Sequence, residues 1–175
     1  ERQDYFDESR ILFENIAAQF LMALKNIKLY YKTQQLAIRD GLTGLLNRRQ
    51  LNVLVDQFCK SSVQENKALT AVLIDIGNFK SFNDTYGHAC GDMVLTELAH
   101  IIGACAENNN GISARYGGEE FVLVFQEKDM ETTYQIINEL QKTINQTSLD
   151  YAGKSVSVRV SIGISSYPET AERPE

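Results

Sequence analysis

The chain has 175 residues, a formal net charge of -6 at pH 7 and three cysteines. It carries no basic stripe with interleaved aromatic residues, which argues against a nucleic-acid polymer as partner. No apolar run approaches the roughly 20 residues that a membrane-spanning helix needs, so we expect no membrane contact within this chain. The cysteines have neither disulfide nor zinc spacing, which is typical of the reducing cytoplasm, whether or not a membrane anchor precedes residue 1.

The first 39 residues contain no glycine or proline and carry a heptad seam of apolar residues. The seam consists of Phe13, Ala17, Phe20, Leu24, Ile27, Tyr31 and Ile38. This repeat predicts one long helix that pairs with a second copy in a coiled coil. A long amphipathic helix lying on another domain is the alternative, because further apolar residues widen the face beyond a two-stranded seam. We expect residues 1–39 to form this helix and residues 40–175 to form one domain.

From residue 40 onward, apolar alternation and glycine positions predict an α+β domain with a mostly antiparallel central sheet. We expect helices near residues 48–59, 78–85, 91–105 and 129–146. We expect strands near 68–75, 111–116, 119–125 and 155–165, with a short hairpin around 151–154. The helices should cover one side of the sheet.

Two elements of this domain carry carboxylates where a site could form. The first strand ends in Asp75, and buried strands often deliver a functional side chain at their end. Farther on, the glycine pair Gly117 and Gly118 predicts a hairpin turn that lets a ligand approach the backbone, and Glu119 follows at once. If the strands are neighbours, Asp75 and Glu119 converge. Two close carboxylates repel unless a cation lies between them, which predicts Mg²⁺ or Mn²⁺.

Three blocks of the sequence together resemble the signature of the GGDEF family of diguanylate cyclases. They are Asp40 to Arg49, Asp75 to Asp92 with the following Val94-Leu95, and Arg115 to Phe121. The resemblance covers roughly residues 36–168. It implies a fold similar to polymerase palm and class III nucleotidyl cyclase cores, which place metals at the end of a central hairpin.

The family resemblance also implies an activity. Two GTP molecules, one on each subunit of a homodimer, are joined into cyclic di-GMP with release of two pyrophosphates, and two divalent metals serve each active site. Asp75, Glu119 and the Ile76 carbonyl match the family's metal ligands. Glu120 is a candidate second-metal ligand or base, and which acid takes the proton is left open.

Substrate residues follow from the same resemblance. Asn83 and Asp92 match the positions that read guanine, and a carboxylate can accept from the guanine N1–H and amino group, which favours GTP over ATP. A helix cap or first-turn acid is the alternative role for Asp92. Phe79 and Lys80 match the family segment that lies beneath the phosphates of GTP. Gly117 and Gly118 match the family's glycine turn, which also borders the substrate.

The chain departs from the family pattern in several places. Gly77 stands where many relatives carry a second acid. The family's product-inhibition site is an Arg-x-x-Asp, and here those positions run from Asn108 to Gly111 without either charge, so we expect no inhibitory site. The family continues into a C-terminal helix with a Lys and an Arg that hold the triphosphate, whereas this sequence ends at Glu175.

Two interpretations extend beyond the catalytic blocks. Residues 1–39 resemble the last helix of a GAF-type sensory domain running into a signalling linker, which implies a sensor before residue 1. The alternative to an active cyclase is a non-catalytic GTP-binding regulatory module of the same family. Such modules usually lose metal acids or turn glycines, and this chain keeps Asp75, Gly117, Gly118, Glu119 and Glu120.

Overall fold

A computed structural model describes residues 14, 16–29 and 37–170, which belong to two compact units, Glu1–Ala37 and Ile38–Glu175. In the first unit, residues 16–29 form helix α1. Its large apolar side chains are exposed, among them Phe20, Leu24 and Ile27 of the predicted seam. The seam residues Phe13 and Tyr31 lie outside the described residues, so the full heptad stays a prediction.

The second unit contains a central five-stranded sheet and four helices in its described part. In chain order its elements are β1 (Leu46–Asn47), α2 (Arg48–Glu65), β2 (Leu69–Ile76), α3 (Phe79–Tyr86), α4 (His88–Asn108), β3 (Gly111–Arg115), β4 (Glu120–Gln126), α5 (Met130–Gln146), β5 (Leu149–Tyr151), β6 (Lys154–Val156) and β7 (Val160–Tyr167). The sheet order is β1-β3-β4-β2-β7, and β5 and β6 form a separate ribbon. Only the short β1–β3 pair in this sheet is parallel, so the predicted α+β class and mostly antiparallel sheet are confirmed.

The two faces of the sheet are covered by different helices. On one face, alternate residues of β2 and β4, such as Ile74 and Phe121, pack against α3, α4 and α5 in the larger core cluster. On the other face, Leu51 of α2 packs against Leu69 and Val124. The expectation that helices cover one side was therefore wrong, because α2 has its own apolar stripe and takes the opposite face.

Helix α4 is the main core helix of the domain. It is long and apolar enough to cross a membrane, with 44% of its most apolar window buried inside the fold. Its Val94, Leu98 and Ile102 lie in the larger core cluster, which explains its apolar composition.

Several predicted boundaries differ from the structure. Helix α2 continues to Glu65 because no helix breaker intervenes before Asn66, whose left-handed backbone (φ 51) ends it. Helix α4 begins at His88, directly after Gly87 with φ 85. The single strand expected at 155–165 is two strands, because β6 pairs with β5 whereas β7 pairs with β2.

Candidate active site

The two predicted acidic elements are neighbours in the central sheet. Strands β2 and β4 run antiparallel with Asp75 opposite Glu120 at the last pair of the ladder. Just beyond it, the Ile76 amide donates a hydrogen bond to the Glu119 carbonyl at 3.3 Å. Asp75, Glu119 and Glu120 are all half-buried at this end of the sheet. The structure therefore brings the predicted acids to one edge.

Arg115 holds the glycine turn that follows β3. Its Nε and Nη2 donate to the Gly118 carbonyl at 3.1 and 2.7 Å, while Nη1 donates to the Asp40 carboxylate at 3.1 Å. Asp40 also accepts hydrogen bonds from the Thr43 amide and hydroxyl at 2.9 and 2.7 Å. A single guanidinium thus connects the start of the domain with the turn of the hairpin.

The environment of Asp40 acts on its pKa in two directions. Partial burial favours the neutral form and raises the pKa, whereas the hydrogen bonds from Thr43 and the Arg115 guanidinium lower it, and the net effect is a pKa below the ordinary 3.8. Sequence reasoning placed Asp40 in a motif without giving it a role. The Asp-x-x-Thr spacing of Asp40 and Thr43 indicates a local turn in which the aspartate side chain accepts hydrogen bonds. This spacing was the signal in the sequence for a structural role of Asp40.

The two glycines of the turn differ in how closely their surroundings approach, and neither is needed for a left-handed backbone. Neither Gly117 nor Gly118 has a positive φ. A Cβ on Gly117 would collide with the Glu120 carboxylate, whereas a Cβ on Gly118 would meet nothing within 4 Å. The space beside Gly118 is open to a ligand.

The loop after β2 leads directly into helix α3. Asn78 adopts the left-handed conformation (φ 55, ψ 32), and α3 starts at Phe79, which is buried. Lys80 is exposed in the first turn. The segment that contains Phe79 and Lys80 therefore begins a helix, as expected, after a two-residue loop that follows β2, and its contact with phosphates stays a prediction.

Asn83 and Asp92 lie on two different helices. The Asn83 Oδ1 atom is buried and has no hydrogen-bond partner among the residues that the structure describes, and a Cβ on Gly91 of α4 would collide with it. Leaving a buried amide oxygen without a partner costs free energy, and a polar group kept for a ligand explains such an atom. Asp92 is exposed and follows Gly91. It is the fifth residue of α4, and no acid lies in the first turn, so the cap or first-turn alternative for Asp92 was wrong.

The donor atoms at this edge suit a metal that arrives with a nucleotide. No three His, Cys, Asp or Glu side chains gather as a ready-made metal cage in the described part of the chain. Mg²⁺ usually takes one or two carboxylates and completes its shell with water and phosphate oxygens. Two carboxylates and a main-chain carbonyl at one sheet edge therefore fit such an ion.

The positions of the family's Arg-x-x-Asp pattern carry neither of its charges in this chain and are closely packed at Gly111. Asn108 is exposed at the end of α4. A Cβ on Gly111 would lie 2.5 Å from the Phe125 ring and 2.9 Å from the Val124 carbonyl. Because Phe125 is fully buried, that position has little room for a larger residue.

These features define an α+β domain with a central mixed sheet, flanking helices and an acidic site at one edge of the sheet. The family model described as "Diguanylate cyclase, GGDEF domain" matches residues 37–175. The chain belongs to the GGDEF family.

Curated relatives agree with this assignment. Diguanylate cyclase A of Treponema denticola is 34% identical over 166 residues, which cover 93% of this chain and 43% of the relative. The response regulator PleD of Caulobacter vibrioides is 34% identical over 145 residues, covering 81% of this chain and 31% of the relative. The chain thus spans less than half the length of these relatives.

Solved structures show the same fold. The GGDEF domain of DgcB from Caulobacter crescentus, in complex with c-di-GMP, has a TM-score of 0.73 and 30% identity, and the match covers 79% of each chain. The coiled coil and GGDEF domain of the same protein gives a TM-score of 0.80 at 25% identity, with 93% of this chain and 86% of that chain covered.

Proposed function

We propose that this chain is the catalytic part of a diguanylate cyclase, which condenses two GTP molecules into cyclic di-GMP and releases two pyrophosphates. The observation that carries the proposal is the register of β2 and β4, which sets Asp75 opposite Glu120 beside the open turn at Gly118. Family membership and the names of the relatives support the same reaction.

Asp75, Glu119 and the Ile76 carbonyl would hold divalent cations, Mg²⁺ or Mn²⁺, two in each active site. When bound, these cations neutralise triphosphate charge and lower the pKa of the attacking 3′-hydroxyl. The chain's own acids would position the reacting groups, and Glu119 and Glu120, which follow the glycine pair directly, are the candidate proton acceptors. Arg115 keeps that turn in place through the Gly118 carbonyl.

Guanine would be read between α3 and α4. The buried amide oxygen of Asn83 and the exposed carboxylate of Asp92 supply complementary polar groups, and the carboxylate accepts from the N1–H and amino group of guanine, a donor pair that adenine lacks. Phe79, Lys80, Gly117 and Gly118 would border the phosphates. The substrate is accordingly GTP rather than ATP.

Catalysis of this kind needs two copies of the chain, since each site holds one nucleotide and the second must arrive opposite it. We assign dimerisation to the N-terminal helix, residues 1–39, and catalysis to residues 40–175. The exposed Phe20, Leu24 and Ile27 support a seam that is covered by a partner helix. A GAF-type sensor upstream, acting through helix register in the cytoplasm, would control how often the sites meet.

We propose that cyclic di-GMP, the product, does not inhibit this chain at the Arg-x-x-Asp positions. Asn108 and Gly111 supply neither the guanidinium nor the carboxylate of the family's inhibitory site. The crowded position of Gly111 supports the same view. Activity would then follow the N-terminal helix rather than cyclic di-GMP concentration.

Incubating the full-length protein with GTP, ATP and Mg²⁺ and resolving the products by mass tests the proposal. We expect cyclic di-GMP alone, without mixed guanine-adenine products. GTP that is bound but not converted would contradict the proposal and would identify the non-catalytic regulatory module.

A further inference from the structure

Arg159 lies beside the loop that follows strand β2, which ends with Asp75 and Ile76. The Gly77 amide donates a hydrogen bond to the Arg159 carbonyl at 2.9 Å, one step beyond the last ladder pair of β2 and β7, Ile76 with Val160. Asp75 is opposite Ser161 in the same register. Arg159 is therefore at the acidic edge of the sheet, although it belongs to none of the family blocks.

The burial pattern shows which face Arg159 takes. Val158 and Val160 both pack against the larger core cluster, and Arg159 between them is exposed. In extended chain, successive side chains point to opposite faces. Arg159 and Ser161 therefore point away from that core, on the same face as Asp75.

The guanidinium of Arg159 has no hydrogen-bond or ion-pair partner among the described residues. The residue opposite Arg159, one step beyond the β2–β7 ladder, is Gly77, which has no side chain and therefore offers no charge to pair with it. A Cβ on Gly77 would meet only the Arg159 carbonyl, at 3.5 Å, so the small residue is not required by packing. The absence of an acid here leaves the cation available to a ligand.

Resting on the function proposed above, we infer that Arg159 binds the triphosphate of GTP. A planar guanidinium can fork onto phosphate oxygens with two charge-assisted hydrogen bonds. Of the residues already assigned to the phosphates, only Lys80 carries a positive charge. Arg159 adds a second cation on the Asp75 face, and Gly77 keeps it unpaired until the nucleotide binds.

The first test is calorimetric titration of GTP, in the form of its α,β-methylene analogue, into full-length protein with Mg²⁺, because the proposed reaction cannot break the α–β bridge of that analogue. Arg159→Ala should weaken GTP binding about tenfold, as expected when a charge-assisted contact is lost. Arg159→Lys should recover part of the affinity. Lys154→Ala, at an exposed cation in the β5–β6 ribbon, is the matched control and should bind GTP like the unmodified chain. Equal GTP affinity in Arg159→Ala and Lys154→Ala would overturn the inference.

A second ligand separates a phosphate contact from a general disturbance of the site. Guanosine has the base and no phosphates, so Arg159→Ala should leave its affinity unchanged. An equal loss for guanosine and GTP would contradict a role at the triphosphate.

Gly77 offers a double-mutant cycle. Gly77→Asp supplies a carboxylate opposite Arg159. Where Arg159 is retained, this substitution should reduce the affinity for GTP. In the Arg159→Ala background the same substitution should reduce it less, because the pair cannot form. Additive losses would count against the pairing.

These measurements read binding without turnover, so the two proposals fail separately. A chain that binds GTP through Arg159 but yields no cyclic di-GMP would contradict the cyclase activity alone. A chain that makes cyclic di-GMP with unchanged GTP affinity in Arg159→Ala would contradict only the role of Arg159. No GTP binding by the unmodified chain would overturn both.

Discussion

Arg115 and Asp40 are joined by a hydrogen bond of 3.1 Å across 75 positions of sequence. Both side chains are largely buried, with exposed fractions of 16% and 25%. The same guanidinium holds the Gly118 carbonyl. The residue at which the domain begins therefore supports the turn of the proposed active site, and a disturbance at Asp40 should reach that turn.

Replacing Asp40 with Asn should destabilise the domain by about 1–3 kcal/mol, because the charge-assisted hydrogen bond to Arg115 is weakened. Denaturant unfolding measures this change. Asp56→Asn, at an exposed acid on α2, is the control and should have little effect. A variant at Asp40 as stable as the control would show that the pair contributes nothing.

The effect of Asp40→Asn on the free energy of unfolding should depend on pH. The folded-state pKa of Asp40 lies below the ordinary 3.8, so its stabilisation is present above that value and lost as the pH falls through the lowered folded pKa. The difference in unfolding free energy between the unmodified chain and Asp40→Asn should be constant at neutral pH and shrink on acidification. A difference that grows in acid would have the wrong sign.

Gly91→Ala should impair nucleotide binding because its Cβ would displace the Asn83 side chain. We expect the KM for GTP to rise about three- to tenfold, the loss of roughly one hydrogen bond, with weaker discrimination against ATP. Steady-state kinetics with both nucleotides measures this.

Gly103→Ala is the matched control on the same helix. There an added Cβ meets only a terminal methyl carbon of Leu45, at 3.3 Å, and not the Asn83 side chain, so nucleotide discrimination should be unchanged. If both variants behave alike, Gly91 has no special role in positioning Asn83.

Gly111→Asp should fail to restore an inhibitory site and should destabilise the domain by about 1–3 kcal/mol, because the new side chain overpacks the buried Phe125 ring. Thermal unfolding is the measurement. Gly163→Asp on β7, where an added Cβ meets nothing within 4 Å, should be better tolerated. Equal stability of the two variants, or micromolar cyclic di-GMP binding by the Gly111 variant, would refute this prediction.

The acidic edge could be predicted because it depends on local patterns. The apolar run that ends in Asp75 and the glycine pair before Glu119 each identify a strand and its end. The three signature blocks of the sequence indicated the GGDEF family. The Asp40–Arg115 pair could not be predicted, because two partners 75 positions apart leave no periodic signal.

Other differences also have non-local causes. Residues 155–165 read as one strand, but the chain changes partner from β5 to β2, and a strand pattern does not identify its partner. The position of Arg159 beside Gly77 became visible only from the register of β2 and β7.

In the proposed function, the acids at the β2–β4 edge of the sheet serve catalysis. The most direct test measures cyclic di-GMP formation, GTP binding and unfolding for Glu119→Gln and for the control Glu107→Gln, an exposed acid on α4. Glu119→Gln should lower turnover at least about 100-fold while leaving unfolding nearly unchanged, and Glu107→Gln should match the unmodified chain. Turnover by Glu119→Gln at the rate of the control would contradict a catalytic role for these acids.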